Sequence, residues 1–174
     1  MILKDIAEKT AEKLGITVDM SVSGDEQSLL TACAKEVLLR LTGEITDVQE
    51  KKKVVAENGI IAYANVDADY KRALRLMKKG KKATFRETSA GILVEEDGEY
   101  DLTYAYFVQP TALNGTVKLP PKFSVNVLAL GAAGEYCYRK GLYKECETYD
   151  DRFTSALKSL LSTTKSVTLK AVDE

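Results

Sequence analysis

Apolar residues recur at spacings of three and four in four stretches, and this spacing places them on one face of a helix. Helices are therefore predicted at residues 2–14, 25–41, 122–140 and 143–162. Gly15, Gly43 and Gly141 follow three of these stretches, as expected where a helix ends. Pro120 and Pro121 precede the third stretch, where their missing N–H donors are tolerated because a helix is about to begin.

From about residue 46 to residue 110 the pattern changes to alternation and turn signals. Asn58-Gly59 lies between apolar residues and is a strong hairpin signal, so we predict a returning strand at residues 60–66. Residues 100–106 alternate tyrosine and leucine with Asp101, Thr103 and alanine, which predicts a strand with one buried face.

Three further segments of the chain have less regular patterns. Residues 71–77 fit a helix or a strand, and we favour a strand because residues 78–82 can then join it to residues 84–86 as a hairpin. Residues 92–94 predict another short strand after the Ala90-Gly91 turn. Residues 165–172 predict a short C-terminal strand or an arm.

Together these elements predict an α+β fold, in which a bundle of about four helices carries a small antiparallel β region inserted between the second and third helices. At 174 residues, without a linker, repeat or low-complexity segment, we predict one domain spanning residues 1–174. Small residues fill the middle of the third helix, so we expect another element to approach its backbone closely; they are Ala129, Gly131, Ala132, Ala133 and Gly134.

The composition narrows the class of protein. Hydrophobic residues make up 45% and charged residues 29%, a globular balance, and the net charge of −1 does not favour a nucleic-acid binder overall. Cys33, Cys137 and Cys146 form no CxxC pair, so buried reduced thiols are expected. No apolar run has the length of a membrane span and no signal peptide is visible, so we expect a soluble product made inside a cell.

The chain contains no histidine, which excludes Ser-His-Asp and Cys-His nucleophile activation and nearly all common catalytic zinc sites. Lys79-Gly80-Lys81 lacks the other residues of a phosphate-binding loop. The acidic run at residues 95–101 is predicted to be a solvated turn, since alternation along a hairpin would direct its carboxylates to both faces. We therefore predict no catalytic, cofactor-binding or metal site.

A basic cluster is the main electrostatic feature of the sequence, and it consists of Lys78, Lys79, Lys81 and Lys82. Arg72, Arg75 and Arg86 lie nearby in the chain. The cluster is either a solvated hairpin tip or a contact for DNA phosphates or an acidic partner. A second run, Lys51–Lys53, is predicted to begin an edge strand, where lysines discourage unwanted pairing.

Residues 119–161 have a recognisable order: Leu-Pro before a helix, small residues, Gly-Glu-Tyr, a glycine turn, and then Tyr-Asp-x-Arg-Phe-x-x-Ala-Leu. The residues in this order are Leu119, Pro120, Gly134, Glu135, Tyr136, Gly141, Tyr149, Asp150, Arg152, Phe153, Ala156 and Leu157. The order resembles the C-terminal helical hairpin of tailed-bacteriophage head–tail connector (adaptor) proteins, a group that includes podoviral tail tubular A proteins. The resemblance covers about a quarter of the chain and consists of packing residues.

The resemblance implies a non-enzymatic structural subunit, of which about twelve copies form a closed ring beneath the portal and continue the DNA channel to the tail. The implied partners are other copies of the chain, the portal protein, tail or stopper proteins, and DNA passing without sequence specificity, but no membrane. The implied location is the neck of the virion, after synthesis in the host cytoplasm.

Three alternatives stay open at this point. The first is another phage neck or tail-completion (stopper) protein. The second is a small histidine-free enzyme that acts through a carboxylate or Cys33, and the third is a DNA-binding regulator.

Overall fold

The computed structural model of the protein describes residues 1–110 and 112–170. Contacts divide the chain into two compact units: a helical unit, formed by Met1–Arg40 and the residues from Gln109 onward, and a β unit, Leu41–Val108. The predicted α+β class, with four helices and a small antiparallel β region, is confirmed. The single domain over residues 1–174 stays a prediction, because grouping residues by contact does not test whether either unit folds alone.

The helical unit contains four α-helices, and both ends of the first three lie within three residues of the predicted ends. The helices are α1 (Leu3–Leu14), α2 (Asp25–Arg40), α3 (Val125–Arg139) and α4 (Tyr143–Lys170). α3 begins three residues later than predicted, since Ser124 acts as its N-cap and its Oγ accepts a hydrogen bond from the Val127 N–H at 3.4 Å. Gly141 adopts φ +74° after α3, which confirms the predicted glycine turn.

Two C-terminal predictions are wrong, because α4 continues through Lys170. The helix does not end at residue 162, and residues 165–170 are not a strand. Neither glycine nor proline occurs between Tyr143 and Lys170, so nothing in the local sequence stops the helix. Residues 171 and 172 lie outside the described residues.

α3 packs against the other three helices of its unit. Its small residues allow this approach, as predicted: a Cβ on Gly131 would lie 3.0 Å from Val37 of α2 and 3.1 Å from Phe153 of α4. A Cβ on Gly134 would lie 3.0 Å from the Asp150 carboxylate. The helical core therefore forms around α3.

The β unit holds seven strands in two antiparallel sheets. The strands are β1 (Val48–Ala56), β2 (Ile60–Ile61), β3 (Tyr70–Lys78), β4 (Lys81–Lys82), β5 (Phe85–Glu87), β6 (Ile92–Val94) and β7 (Gly98–Tyr106). One sheet has the order β1-β7-β3-β4 and the other has the order β2-β6-β5. The two sheets share one apolar core, which includes Val54, Ile61, Val66, Leu76, Ile92, Tyr100, Leu102 and Tyr104. A π-helix, Leu41–Ile45, precedes β1.

Several local predictions for the β unit are confirmed. Asn58 and Gly59 have φ values of 53° and 73° and form the turn between β1 and β2. Residues 70–78 are a strand rather than a helix. β7 alternates as predicted over its first part, with Tyr100 and Leu102 buried and Asp101 exposed, but Ala105 is buried as well. β1 is an edge strand as predicted, although Lys51–Lys53 lie in its middle and do not begin it.

Two strand predictions are wrong in part, since one strand is shorter than predicted and the other has a different pairing partner. The strand after Gly59 ends at Ile61, and Tyr63–Asn65 form a 3-10 turn, because Ile61 and Val66 are both fully buried and a straight strand would direct them to opposite faces. The hairpin after β3 returns only through Lys81–Lys82, while β5 pairs with β6 in the other sheet. β3 is irregular at two points in its pairing, and such bulges bend a strand away from a continuing partner.

Candidate functional site

The predicted basic cluster lies at the tip of the β3–β4 hairpin, where Lys79 and Gly80 form the turn with φ values of 50° and 79°. A groove of about 420 Å³ runs between this hairpin and the acidic turn that follows β6. The groove is lined by residues that include Lys78, Lys79, Lys81, Lys82, Glu96 and Tyr100. The structure therefore brings the four predicted lysines together, but their surroundings differ.

Lys78 is held by the fold rather than presented to solvent. Its Nζ donates hydrogen bonds to the Glu96 carboxylate at 2.7 Å and to the Asp97 carbonyl at 2.8 Å. It also lies 5.2 Å from the centre of the Tyr100 ring, a cation–π contact. The hydrogen bond to Glu96 raises the pKa of Lys78 and lowers the pKa of the Glu96 carboxyl. Lys78 thus ties the acidic turn to the hairpin.

The other three lysines, Lys79, Lys81 and Lys82, are exposed. Among the described residues none of their side chains has a hydrogen bond or an ion pair. Lys81 and Lys82 are adjacent on β4, so their side chains leave opposite faces of the strand. The hairpin therefore presents three uncompensated cations in different directions, an arrangement suited to a polyanion that surrounds or passes the tip.

The three arginines near the cluster in sequence are separated in the structure. Arg72 is bound to the Asp47 carboxylate, and Arg86 lies on β5 in the other sheet. Arg75 lies on the four-stranded sheet, where its Nε donates to the Met77 sulfur at 3.2 Å. Only Arg75 extends the basic surface of that sheet.

A second set of polar contacts in the β unit is formed where Lys71 and Arg72 donate hydrogen bonds to the Asp47 carboxylate. Lys71 Nζ lies 3.2 Å from an Asp47 oxygen and also donates to the carbonyls of Thr42 and Gly43 at 2.8 and 2.7 Å. The hydrogen bonds from Arg72, and then Lys71, hold the pKa of Asp47 below its ordinary value. These bonds fasten β3 to the π-helix that precedes β1.

Three carboxylates of the acidic run at residues 95–101 bind other residues of the β unit. Glu96 binds Lys78, Asp97 accepts a bond from the Gly59 N–H at 2.6 Å, and Glu99 pairs with Lys53 at 2.6 Å. Over the described part of the chain, no three Asp, Glu, Cys or His side chains are grouped in a way that could hold a metal ion.

Cys33, the nucleophile of the enzyme alternative, is fully buried in α2. Burial raises the pKa of its thiol to about 11, so the thiolate that a nucleophile requires is suppressed. Cys137 is also buried, Cys146 is half-buried, and all three cysteines are free thiols. Cys33 is therefore a packing residue of the helical core.

The residues of the connector-like hairpin connect helices to one another. Tyr136 of α3 donates its hydroxyl hydrogen bond to Glu26 of α2. Tyr149 of α4 donates to the Lys13 carbonyl at the end of α1 at 2.7 Å. Two hydroxyl groups thus tie the α3–α4 hairpin to the first two helices.

Most of the remaining hairpin residues also contact other parts of the helical unit, and Arg152 is the exception. Asp150 lies against Gly134 and 3.8 Å from Arg40 of α2, and Phe153 is 1% exposed. Glu135 pairs with Arg139 along α3 at 2.7 Å, while Leu119 and Pro120 precede the helix and are half-buried. Arg152 is exposed.

The sequence analysis missed the outer face of the four-stranded sheet. Lys51 on β1 and Arg75 on β3 pair with the same residue, Thr103 of β7, so the three form one row across the sheet. From the sequence, the lysines of β1 indicated only that an edge strand is protected against unwanted pairing. Their alignment with Arg75 could not be predicted, because it depends on pairing between strands that are distant in the chain.

Comparison with known proteins assigns the chain to no family. No protein-family model matches it, and no curated protein matches it. Within the described part of the chain, every helix is too short or too polar to cross a membrane.

Proposed function

We propose that this protein is a structural subunit of a tailed-bacteriophage head–tail connector, which forms a ring beneath the portal and continues the DNA channel to the tail. The observation that carries the proposal is the α3–α4 hairpin: Tyr136 and Tyr149, two residues of the connector resemblance, fasten it to α2 and α1. The order of elements, with a β unit inserted between α2 and α3, also agrees with what the resemblance implies.

Close helix packing supports a role as a ring wall. α3 is surrounded by three helices, and the contacts at Gly131 and Gly134 leave little room for adjustment. Interiors packed at this density transmit strain instead of deforming. A rigid subunit is what a channel that carries DNA requires.

The hairpin lysines are assigned to DNA within this proposal. Lys79, Lys81 and Lys82 are exposed cations, and most of the residues that line the groove beside them are charged. Contacts to phosphates alone are sequence-independent and weaken with salt. Such contacts suit DNA that moves through a channel without being read.

The test is quantitative mass spectrometry of purified particles of the phage that encodes this chain. We expect the chain in the particles at a copy number close to that of the portal protein, since connector and portal rings are stacked. Absence of the chain from particles would overturn the proposal. Cryo-electron microscopy of the neck then separates an adaptor, in contact with the portal, from a stopper further along the channel.

The hairpin has its own test, in particles that carry the variant Lys79→Asn, Lys81→Gln, Lys82→Gln. Asparagine is chosen at position 79 because it tolerates the left-handed conformation of Lys79, and Lys78 is kept because it holds Glu96. We expect normal incorporation of the chain and reduced DNA retention. A matched control is a triple glutamine variant of exposed cations in the helical unit: Lys122, Lys144 and Lys158. DNA-full particles from the hairpin variant would reject the assignment of these lysines.

A further inference from the structure

The outer face of the four-stranded sheet carries a shallow depression of about 420 Å³, separate from the hairpin groove. Two rows of residues across the sheet line it: Lys51–Thr103–Arg75, and next to it Lys53–Asp101–Met77. Gly80 of the β3–β4 turn lines the same depression. The face therefore continues to the tip that presents the hairpin lysines.

The Lys51–Thr103–Arg75 row contains two cations that the fold leaves available. Lys51 is exposed and has no ion pair among the described residues. Arg75 is exposed, and its one side-chain hydrogen bond among those residues is to the Met77 sulfur. By contrast, Lys53 in the next row is bound to Glu99 at 2.6 Å. Neighbouring strands lie about 4.8 Å apart, so Lys51 and Arg75 flank the Thr103 hydroxyl on both sides.

We propose that the Lys51–Thr103–Arg75 row is a binding site for the phosphodiester backbone of duplex DNA. An ammonium group, a hydroxyl and a guanidinium are the side-chain groups that proteins commonly direct at DNA phosphates. Spaced across about 10 Å of the sheet, they can contact neighbouring phosphates of one strand. The proposal deepens the proposed function and rests on it for the presence of DNA, whereas binding itself is a property of the purified chain.

The chemistry of the depression favours DNA over an acidic protein. Protein–protein interfaces centre on buried aromatic or aliphatic anchors. The depression has no aromatic lining residue, and its one large apolar residue is the half-buried Met77. Cations and a hydroxyl without an apolar anchor suit a ligand that offers charge and no hydrophobic surface.

Asp101 provides a specific test of the proposed site. It is an exposed carboxylate on the same face of the sheet, between Lys53 and Met77. A phosphate bound at the Lys51–Thr103–Arg75 row would be repelled by it. Replacing Asp101 with asparagine should therefore strengthen DNA binding, a gain that simple damage to the sheet does not produce.

The experiment measures binding of the purified full chain to a labelled duplex of random sequence by fluorescence anisotropy, at several salt concentrations. Each phosphate contact contributes about 0.9 to the change in log K that a tenfold change in salt produces. When salt falls from 1 M to 0.1 M, a variant that lacks one contact should therefore gain about eightfold less affinity than the wild type. The variant Lys51→Gln, Arg75→Gln should make the negative slope of log K against log salt shallower by about 2. Asp101→Asn should bind more tightly than the wild type, and Lys158→Gln should bind equally.

The outcomes separate this inference from the proposed function. Wild-type affinity in the Lys51→Gln, Arg75→Gln variant, or no binding of DNA by the wild type at low salt, overturns the phosphate site. Tighter binding of polyaspartate than of DNA also overturns it, in favour of an acidic protein. Circular dichroism verifies that the variants are folded. Loss of DNA binding in the variant, together with absence of the chain from particles, would keep the site and reject the connector.

Discussion

The residues that distinguish the helical unit pack inside it, whereas those that distinguish the β unit lie on its surface. In the helical unit the small and aromatic residues of α3 and α4 face one another, and Gly131 leaves room for Phe153. In the β unit the apolar residues of β7 are buried while cations such as Lys51 and Lys81 face outward. We infer that changes in the helical hairpin mainly alter stability, whereas changes on the β unit's outer surface mainly alter binding.

The largest loss of stability is expected from Phe153→Ala, because Phe153 is 1% exposed and packs against α3. Removing a buried phenyl ring leaves a cavity and costs about 3–5 kcal/mol of unfolding free energy. Urea unfolding followed by helical circular dichroism measures the loss. The matched control is Tyr138→Ala, since Tyr138 is 61% exposed and its loss should change stability by less than about 0.5 kcal/mol. Equal effects of the two variants would contradict this account of the helical core.

A smaller loss is expected when the helical core is overfilled. Gly131→Leu places a side chain where a Cβ alone would lie 3.0 Å from Val37 and 3.1 Å from Phe153. Overpacking of this kind costs about 1–3 kcal/mol. If the contact is the cause, Phe153→Leu in the same chain should recover part of the stability lost in Gly131→Leu. Full additivity of the two changes would indicate that the residues do not interact.

In the β unit we expect Asp47→Asn to cost about 1–2 kcal/mol at pH 7, since the charged carboxylate accepts bonds from Arg72 and Lys71. These bonds depress the pKa of folded Asp47, so its contribution is fully present above the unfolded pKa of about 3.9. The contribution is lost as pH falls through the lower folded pKa. Urea titrations from neutral to acid pH should therefore show the wild type and the variant converging below about pH 4. A constant difference would contradict the charge-based explanation.

The smallest change in stability is expected on the hairpin tip, where Lys81→Gln with Lys82→Gln removes two exposed charges. Away from packing contacts such substitutions usually stay within about 0.5 kcal/mol. Lys78→Gln is the informative comparison, because Lys78 is bonded to Glu96 and Asp97. We expect Lys78→Gln to lower the thermal midpoint more than the double variant does. The reverse order would show that Lys78 is not the structural member of the cluster.

Much of the fold could be predicted because its signals are local. Asn58-Gly59 needs only the freedom of its own backbone to form a turn, and Gly141 ends α3 for the same reason. The alternation in β7 follows from one buried face, whichever strands lie beside it. The small residues of α3 likewise indicated close packing, although not which helices would supply it.

The sequence by itself thus determined the α+β class, most helix ends and the turn residues, since each depends on neighbours a few positions away. Only the tertiary structure decided that β5 leaves the hairpin for the second sheet, because that choice depends on pairing with β6. It also separated Lys78 from the other hairpin lysines by bringing Glu96 to it across 18 positions. The Lys51–Thr103–Arg75 row required three strands to meet in one register, and long-range pairing of that kind leaves no local pattern in the chain.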